Sequence, residues 1–420
     1  TTGTAGADKL YGTSGADVFD GKGGNDIETG RGGNDTFVFN AGYGSLEINE
    51  VDYAGKPNNV LQLGAGIDPA KVVVRATTDG TGLVLTDGIS GDQVTLDAML
   101  SNAAAGIQTV QFADGTSWTR AQLVQMTTTG TAGADKLYGT SGADVFDGKG
   151  GNDIETGRGG NDTFVFNAGY GSLEINEVDY AGKPNNVLQL GAGIDPAKVV
   201  VRATTDGTGL VLTDGISGDQ VTLDAMLSNA AAGIQTVQFA DGTSWTRAQL
   251  VQKATTGTAG ADKLYGTSGA DVFDGKGGND VVIGRGGNDT YVLGRDYGDL
   301  RILNGSAGSN TPAGTLSIGQ SGSENIWLER SGNDLKVDVM GTTTSATIQG
   351  WYSNGYCKLA NILVDGNGQG PLLIDQQVDQ LVQAMASFSQ SNPGFAPSSS
   401  QNGTIIDSSL LQLVHTAWHK

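Results

Sequence analysis

Asp8, Asp17, Asp26 and Asp35 stand nine residues apart, and the same spacing returns at Asp135, Asp144, Asp153 and Asp162 and at Asp262, Asp271, Asp280 and Asp289. Each belongs to a unit that reads Gly-x-x-Gly-x-Asp-x-φ-x, with φ usually apolar, as in Gly3-Thr-Ala-Gly6-Ala-Asp8-Lys-Leu10-Tyr. A carboxylate that recurs beside glycine-rich turns is chemistry for a hard cation. Calcium takes six to eight oxygen ligands at about 2.3 to 2.6 Å, from carboxylates and backbone carbonyls together. One turn cannot supply them all, so successive turns must share an ion.

The expected ligands are the first, third, fourth and sixth residues of each unit. In the first run these are Gly3, Ala5, Gly6, Asp8; Gly12, Ser14, Gly15, Asp17; Gly21, Gly23, Gly24, Asp26; and Gly30, Gly32, Gly33, Asp35. In the second they are Gly130, Ala132, Gly133, Asp135; Gly139, Ser141, Gly142, Asp144; Gly148, Gly150, Gly151, Asp153; and Gly157, Gly159, Gly160, Asp162. The third run supplies Gly257, Ala259, Gly260, Asp262; Gly266, Ser268, Gly269, Asp271; Gly275, Gly277, Gly278, Asp280; and Gly284, Gly286, Gly287, Asp289.

To position these oxygens, each unit must split into a six-residue turn and a three-residue strand. Glycine at the first and fourth places is expected to allow backbone conformations closed to other residues. Successive strands then fall on opposite faces of a parallel coil, with turns one and three stacked on one edge and turns two and four on the other. Ions are expected between the Asp8 and Asp26 turns and between the Asp17 and Asp35 turns. The eighth position faces inward, which suits Leu10, Phe19 and Phe37, and Leu264, Phe273, Val282 and Tyr291 in the third run. Glu28 and its copy Glu155 break the pattern. A carboxylate facing a thin apolar core is costly, so that strand is expected to flip and turn Ile27 inward.

These repeats resemble the RTX (repeats-in-toxin) family, whose Gly-Gly-x-Gly-x-Asp-x-φ-x nonapeptide implies a calcium-bound parallel β-roll. The resemblance covers about 36 residues of each run, on the family's own period. It departs from the family at the second place, where Thr4, Thr13, Lys22 and Arg31 stand instead of glycine. Beyond the repeats, Phe39 to Ile48 keeps glycines but loses the aspartate; it reads as a degenerate further turn, with Glu50 or Asp52 adding ligands.

A longer period contains the shorter one. Residues 1–125 recur letter for letter as 128–252, and a third copy begins alike and then diverges. The chain therefore reads as an array of modules. Between the repeats, short apolar strands such as Val72-Val-Val74, Leu83-Val-Leu85 and Val94-Thr-Leu96 alternate with turn signals. Asp114-Gly115, flanked by Phe112 and Trp118, marks a hairpin. This layout resembles the haemolysin-type calcium-binding-related domain, which implies a lid on each roll. The third module carries a variant, Ile326 to Val337, with Trp351 and Tyr352 packed beneath it.

The expected fold is mostly all-β: three parallel β-rolls, each capped by an antiparallel β-rich domain, with C-terminal helical segments. The boundaries are 1–127 (roll about 3–58), 128–254, 255–374 and 375–420. In the last segment Val378, Leu381, Val382, Met385 and Phe388 follow a helical period, a linker spans 387–400, and an apolar tail runs from Leu410 to Trp418. The RTX resemblance implies a type I secretion signal in that tail; the plain alternative is a helix that closes the third cap.

With 68 glycines in 420 residues and 6% aromatics, each core must be thin. The net charge of −21 and a pI near 4.3 argue against nucleic-acid binding. A single cysteine, Cys357, rules out an intrachain disulfide and reads as a small buried apolar residue. No run reaches the roughly 18 apolar residues of a membrane helix. The chain opens on a repeat without a signal segment, so its natural start is expected far upstream, and Trp418-His-Lys reads as a true C-terminus.

His415 and His419 are the only histidines, both near the end, and no zinc-protease, nucleophile-elbow or phosphate-loop motif is present, so no catalytic residues are expected. The sequence points to a non-enzymatic calcium-dependent folding, structural and secretion module at the C-terminus of a large type I-secreted surface protein, an adhesin or surface-layer-like protein. Its expected setting is secreted or on the bacterial cell surface. Its expected partners are calcium, a type I exporter through the tail, and a host or cell-surface ligand through the upstream protein. The alternatives are the noncatalytic tail of a secreted toxin, protease or lipase, or a ligand-binding adhesin module.

Overall fold

The computed structural model describes residues 1–50, 58–177, 185–305, 311–364, 372–400, 403–405 and 407–418. The chain divides into two compact units: Thr1–Val199 with Thr213–Asp224 and Ala231–Ser244, and Val200–Leu212 with Ala225–Ala230 and Trp245–Lys420. Residues 1–127, all in the first unit, show how the nine-residue period becomes a coil. Glycine-rich turns leave room for only three to six residues of extended chain before the next reversal. β1 (Lys9–Tyr11), β2 (Val18–Asp20), β3 (Gly24–Thr29), β4 (Thr36–Phe39), β5 (Gly44–Asn49) and β6 (Val60–Leu63) therefore alternate between two sheets. β1, β3 and β5 pair in parallel, as do β2, β4 and β6.

The roll does not stop where the repeats stop. After a hairpin of β7 (Val73–Ala76) and β8 (Leu83–Thr86), β9 (Gln93–Leu96) returns to pair in parallel with β5. β10 (Thr109–Phe112) likewise pairs in parallel with β6. β8 then joins β9 antiparallel, and β11 (Ser117–Thr119) joins β10 antiparallel, which ends the sheets as β1-β3-β5-β9-β8-β7 and β2-β4-β6-β10-β11. The expected antiparallel cap is present, and it is entered through two further rungs of the same roll, one on each sheet. Reversing direction is what halts a coil whose open edge would otherwise offer unpaired backbone groups. Asp114 and Gly115 lie at the β10–β11 turn, Gly115 at φ 91°, and Phe112 meets Trp118 edge-on at 4.6 Å. Helix α1 (Arg120–Thr127) follows, capped by Thr119, whose hydroxyl accepts from Gln122 N–H at 3.3 Å while Gln122 Oε1 accepts from Thr119 N–H at 2.8 Å.

The core consists of two side-chain columns. Phe19, Phe37, Leu61 and Val110 are in register along one sheet, and the Phe19 and Phe37 rings stack at 4.9 Å. The facing column runs Leu10, Glu28, Ile48 and Leu96. Here the strand flip expected at Glu28 does not occur: Asp26 and Glu28 point inward, and Ile27 lies on the half-exposed face. Parallel pairing with β1 and β5 fixes the register of β3, and a shift by one residue would have put Asp26 out of reach of the neighbouring turn. Among 128–254 the roll strands pair as in the first copy, with 136–138, 151–156, 171–176 and 220–223 in one sheet and 145–147, 163–166, 187–190 and 236–239 in the other.

The third module, within the second unit, keeps this topology where its sequence has diverged. Its sheets run 263–265, 278–283, 298–303, 345–348, 334–339, 326–331 and 272–274, 290–293, 315–318, 361–364, 372–374. Val282 takes the place of Glu28, in register with Leu264 and Ile302. Trp351 is fully buried, and Arg330 lies over the Tyr352 ring at 4.3 Å. The helix Asp375–Ser391 packs on strand 326–331, extending five residues into the expected linker, and pairs with the helix Ser408–Ala417. Leu410, Val414, Ala417 and Trp418 are buried in the third core, so the apolar tail closes this module. No helix among the described residues is long and apolar enough to cross a membrane.

Candidate metal centre

The turns come in two chemical kinds. In the first and second, threonine closes the loop: Asp8 Oδ2 accepts from Thr4 N–H at 2.6 Å and from its hydroxyl at 2.8 Å, and Asp17 does the same with Thr13 at 2.6 and 2.9 Å. These donors, the backbone N–H first, hold both carboxyls below the ordinary aspartate value. The copies at Asp135, Asp144, Asp262 and Asp271 are bound alike. In the third and fourth turns the second place is Lys22 or Arg31, both left-handed at φ 68° and 75°, followed by left-handed glycines. The expected glycine freedom therefore holds at Gly24 and Gly33 (φ 112° and 110°) and not at Gly6 or Gly15. First-place glycines have a different reason. A methyl on Gly21 would overlap Asp26 Oδ2, and one on Gly30 would overlap both Asp35 Oδ2 and Glu50 Oε2.

Alternate turns are joined across one rung. Asp26 Oδ1 accepts from Asp8 N–H at 2.9 Å, and Asp35 Oδ1 accepts from Asp17 N–H at 2.8 Å. The same bonds link Asp135 to Asp153, Asp144 to Asp162, Asp262 to Asp280 and Asp271 to Asp289. Carbonyls approach at the same places: Gly21 O faces Gly3 beside Asp8 Oδ2, and Gly30 O faces Gly12 beside Asp17 Oδ2. Gly6 O and Gly15 O crowd Gly24 and Gly33. Ala5 and Ser14 lie on exposed turn backbone. Among the described residues no three His, Cys, Asp or Glu side chains gather as a metal cluster; the oxygens that approach the aspartates at these turns are backbone carbonyls.

The buried acids fit that role. Burial raises the Asp26, Asp153 and Asp280 carboxyls, and pushes Asp162 up to about 8 and Asp289 up to about 7. Asp162 Oδ2 and Glu177 Oε2 converge on Gly157, and the neighbouring Glu177 adds to the rise of the Asp162 carboxyl. Charges so buried call for a counter-ion or a proton. The third module solves the same place without the second acid. Asn304 stands where Glu50 and Glu177 do, and the Tyr291 hydroxyl bonds to Asn304 Oδ1 at 2.7 Å and to Asp289 Oδ2 at 3.2 Å.

Two residues continue the ladder where no repeat marks them. Buried Asn59 takes the next aspartate's part, its Oδ1 accepting from Asp35 N–H at 2.8 Å and its Nδ2 donating to Gly106 O at 3.2 Å. Asp92 accepts from Gly42 N–H at 2.5 Å and from Gly44 N–H at 3.0 Å, holding the turn before β5. Their signal in the sequence is only polarity at the mouth of an apolar strand. Of the other expected ligands, Glu50 is fully buried beside Asp35, and Asp52 lies outside the described residues.

Two substitutions test this geometry. Asp26→Ala removes the rung to Asp8 and leaves the Asp17–Asp35 edge intact. It is expected to weaken calcium binding on the first edge by more than tenfold, a loss of about 1.4 kcal/mol or more, with little change on the second; equal loss on both edges, read as ion occupancy in crystals, would contradict alternate stacking. Glu28 is the second. Burial, then Asp26 and Asp20, push its carboxyl up to about 8, and Glu155 is raised in the same way. A raised acid keeps its full contribution below the unfolded value near 4.5 and loses it as pH climbs to about 8. Replacing both by Val, the residue at 282, should therefore raise the melting temperature, more at pH 8 than at pH 5. A fall in calcium affinity in this variant would instead place the carboxylate among the ligands.

Sequence comparison agrees with the geometry. The model of the RTX calcium-binding nonapeptide repeat (4 copies) matches residues 2–28, 129–155 and 256–291. That of the haemolysin-type calcium binding protein related domain matches 83–122 and 210–249, in the two modules whose sequences are identical. No curated protein matches the chain. Among solved structures, the extracellular lipase LipA from Serratia marcescens aligns over 53% of this chain and 37% of its own length, at 20% identity and a TM-score of 0.18. The chain spans well under half of that lipase. The β-roll and its aspartate rungs define a calcium-binding structural protein. More narrowly, the chain carries RTX calcium-binding repeats, with a haemolysin-type calcium-binding-related domain in each of the first two modules. Repeats of this kind are typically non-catalytic and occur in proteins exported by type I secretion.

Proposed function

We infer that this chain is the calcium-gated folding and secretion module at the C-terminus of a large surface protein, adhesin-like or surface-layer-like, exported by a type I system. The observation that carries this reading is the ladder of aspartates joined at alternate turns, from half-buried Asp8 to buried Asp26 and from half-buried Asp17 to buried Asp35. At low calcium those carboxylates are brought together without counter-charge, and a core two side chains thick does not offset chain entropy. The chain then stays extended enough to be threaded. In millimolar calcium, sites of the extracellular class, with Kd of about 10⁻⁴ to 10⁻³ M, fill and fold it. The twelve expected ligand aspartates and their partner carbonyls, Gly3 to Asp35 and their copies, serve as the latch.

Calcium titration of the unfolded chain tests this. The expected course is cooperative, ending near two ions per module for the repeats and more in the first two modules if Glu50 and Glu177 also bind. A non-cooperative titration with no change in circular dichroism would overturn the latch. The apolar tail supports export as well as packing: fused behind a passenger, residues 375–420 should carry it through a type I exporter. A tail that carries nothing would leave the noncatalytic end of a secreted toxin, protease or lipase without support too, since that alternative needs the same export.

A further inference from the structure

We propose that the face formed by Tyr11 and Arg31 is a docking site for the Asp-Gly turn between β7 and β8 of a further copy of this module. The same face is already occupied in the two later modules, and the occupant is the same turn each time. In the first unit Arg158 lies over the Tyr138 ring at 5.4 Å and donates to Asp79 O at 3.3 Å. In the second unit Arg285 lies over Tyr265 at 5.3 Å and donates to Gly207 O at 2.5 Å and to Asp206 O at 3.4 Å. The Tyr265 hydroxyl adds a bond to Thr205 O at 3.2 Å.

The turn suits this use. Asp79 accepts from the Thr77 hydroxyl at 2.6 Å and from Thr81 N–H at 3.0 Å, and these bonds hold its carboxyl down to about 2. With the side chain spent inside the turn, backbone carbonyls are left as acceptors for a guanidinium, Asp79 O in the first turn and both Asp206 O and Gly207 O in the second. Gly80 is left-handed at φ 69°, and a methyl there would strike Tyr138 and Arg158, so the ring rests directly on the glycine.

The receptor half stands ready on the first module. Arg31 is already poised over Tyr11 at 5.0 Å, yet Tyr11 is 54% exposed where Tyr265 is 7% exposed. Among the described residues the two turns of this type, at 77–80 and 204–207, are both engaged already. The corresponding turn of the third module is Ser331-Gly332-Asn333, and its Gly332 O is taken by Arg330 Nε at 2.9 Å. Among the described residues the contact is therefore directional: the first module keeps an unfilled receptor face, and the corresponding turn of the third module is spent on its own Arg330.

The test extends the chain by one copy of residues 1–127 ahead of Thr1, in calcium, and follows limited proteolysis at each junction by fragment mass. In the original chain Tyr138→Ser and Tyr265→Ser should speed cleavage of their own junctions about five- to tenfold, and Tyr11→Ser should change neither. In the extended chain Tyr11→Ser should speed cleavage of the new junction by a similar factor. Calcium stoichiometry checks that the roll still folds. Should Tyr11→Ser reduce it, Arg31→Lys replaces that variant, because Lys22 already holds the equivalent left-handed position. A new junction that is cut as fast with Tyr11 as without it overturns the proposal and leaves the face to a partner of different sequence. So does a Tyr138→Ser variant whose junction is no weaker than the original.

Discussion

In EDTA at neutral pH the chain is expected to lose most of its β-sheet circular dichroism, and to regain it when calcium is returned to a few millimolar. The size of the effect follows from the ledger of charge and core. Asp26, Glu28, Asp35 and Glu50 are all buried in the first module, and Asp153, Glu155, Asp162 and Glu177 repeat them in the second. About six ions, two per module, would bring roughly +12 against a net −21. Each ion that binds only the folded state adds about 1.4 kcal/mol when calcium is tenfold above Kd. Six such terms amount to about 8 kcal/mol, the whole stability of a typical domain. Unchanged β-structure in EDTA would show that the roll stands without its ions, and the folding switch would fall with it.

The second large effect lies at the other end. Val414→Asp should unfold the third module while leaving the first two intact. Val414 is fully buried on the helix Ser408–Ala417, within a core that also holds Trp327, Trp351 and Met385. An unpaired carboxylate there costs about 4 kcal/mol or more, beyond the 0.5 to 3 kcal/mol of an ordinary substitution. Calorimetry in calcium should show one transition lost or moved far down and the rest unmoved. Tryptophan emission should shift to the red, since Trp327, Trp351 and Trp418 all report on this core. A variant that melts like the parent would mean that the tail is not part of the fold.

The parts of this structure that can be read from sequence are those that repeat locally. A nine-residue period states its own strand length, its alternation between sheets and the stacking of Asp8 on Asp26, because each depends only on near neighbours. The pairing of β5 with β9 does not, since the β7–β8 hairpin is inserted between them, and nothing in the sequence of Val94-Thr-Leu96 says which strand it will meet. Asn59 is hidden for the same reason: it continues the aspartate ladder after an interruption that erases the period. At Glu28 the cost of a buried carboxylate points the wrong way, because parallel pairing with β1 and β5 fixes the register and outweighs one side chain. The exchange of Glu50 for Asn304 alongside Phe37 for Tyr291 makes sense only once both are seen to meet over one glycine.

The buried tail has a temporal meaning. Leu410, Val414 and Trp418 lie inside the third core, so the residues that would have to be exposed for another protein to grip the tail are hidden once the module has closed. If an exporter reads this segment, it can do so only on a chain that has not yet met calcium. Folding then withdraws the address after delivery, and a molecule that has finished its journey cannot be taken up for a second one.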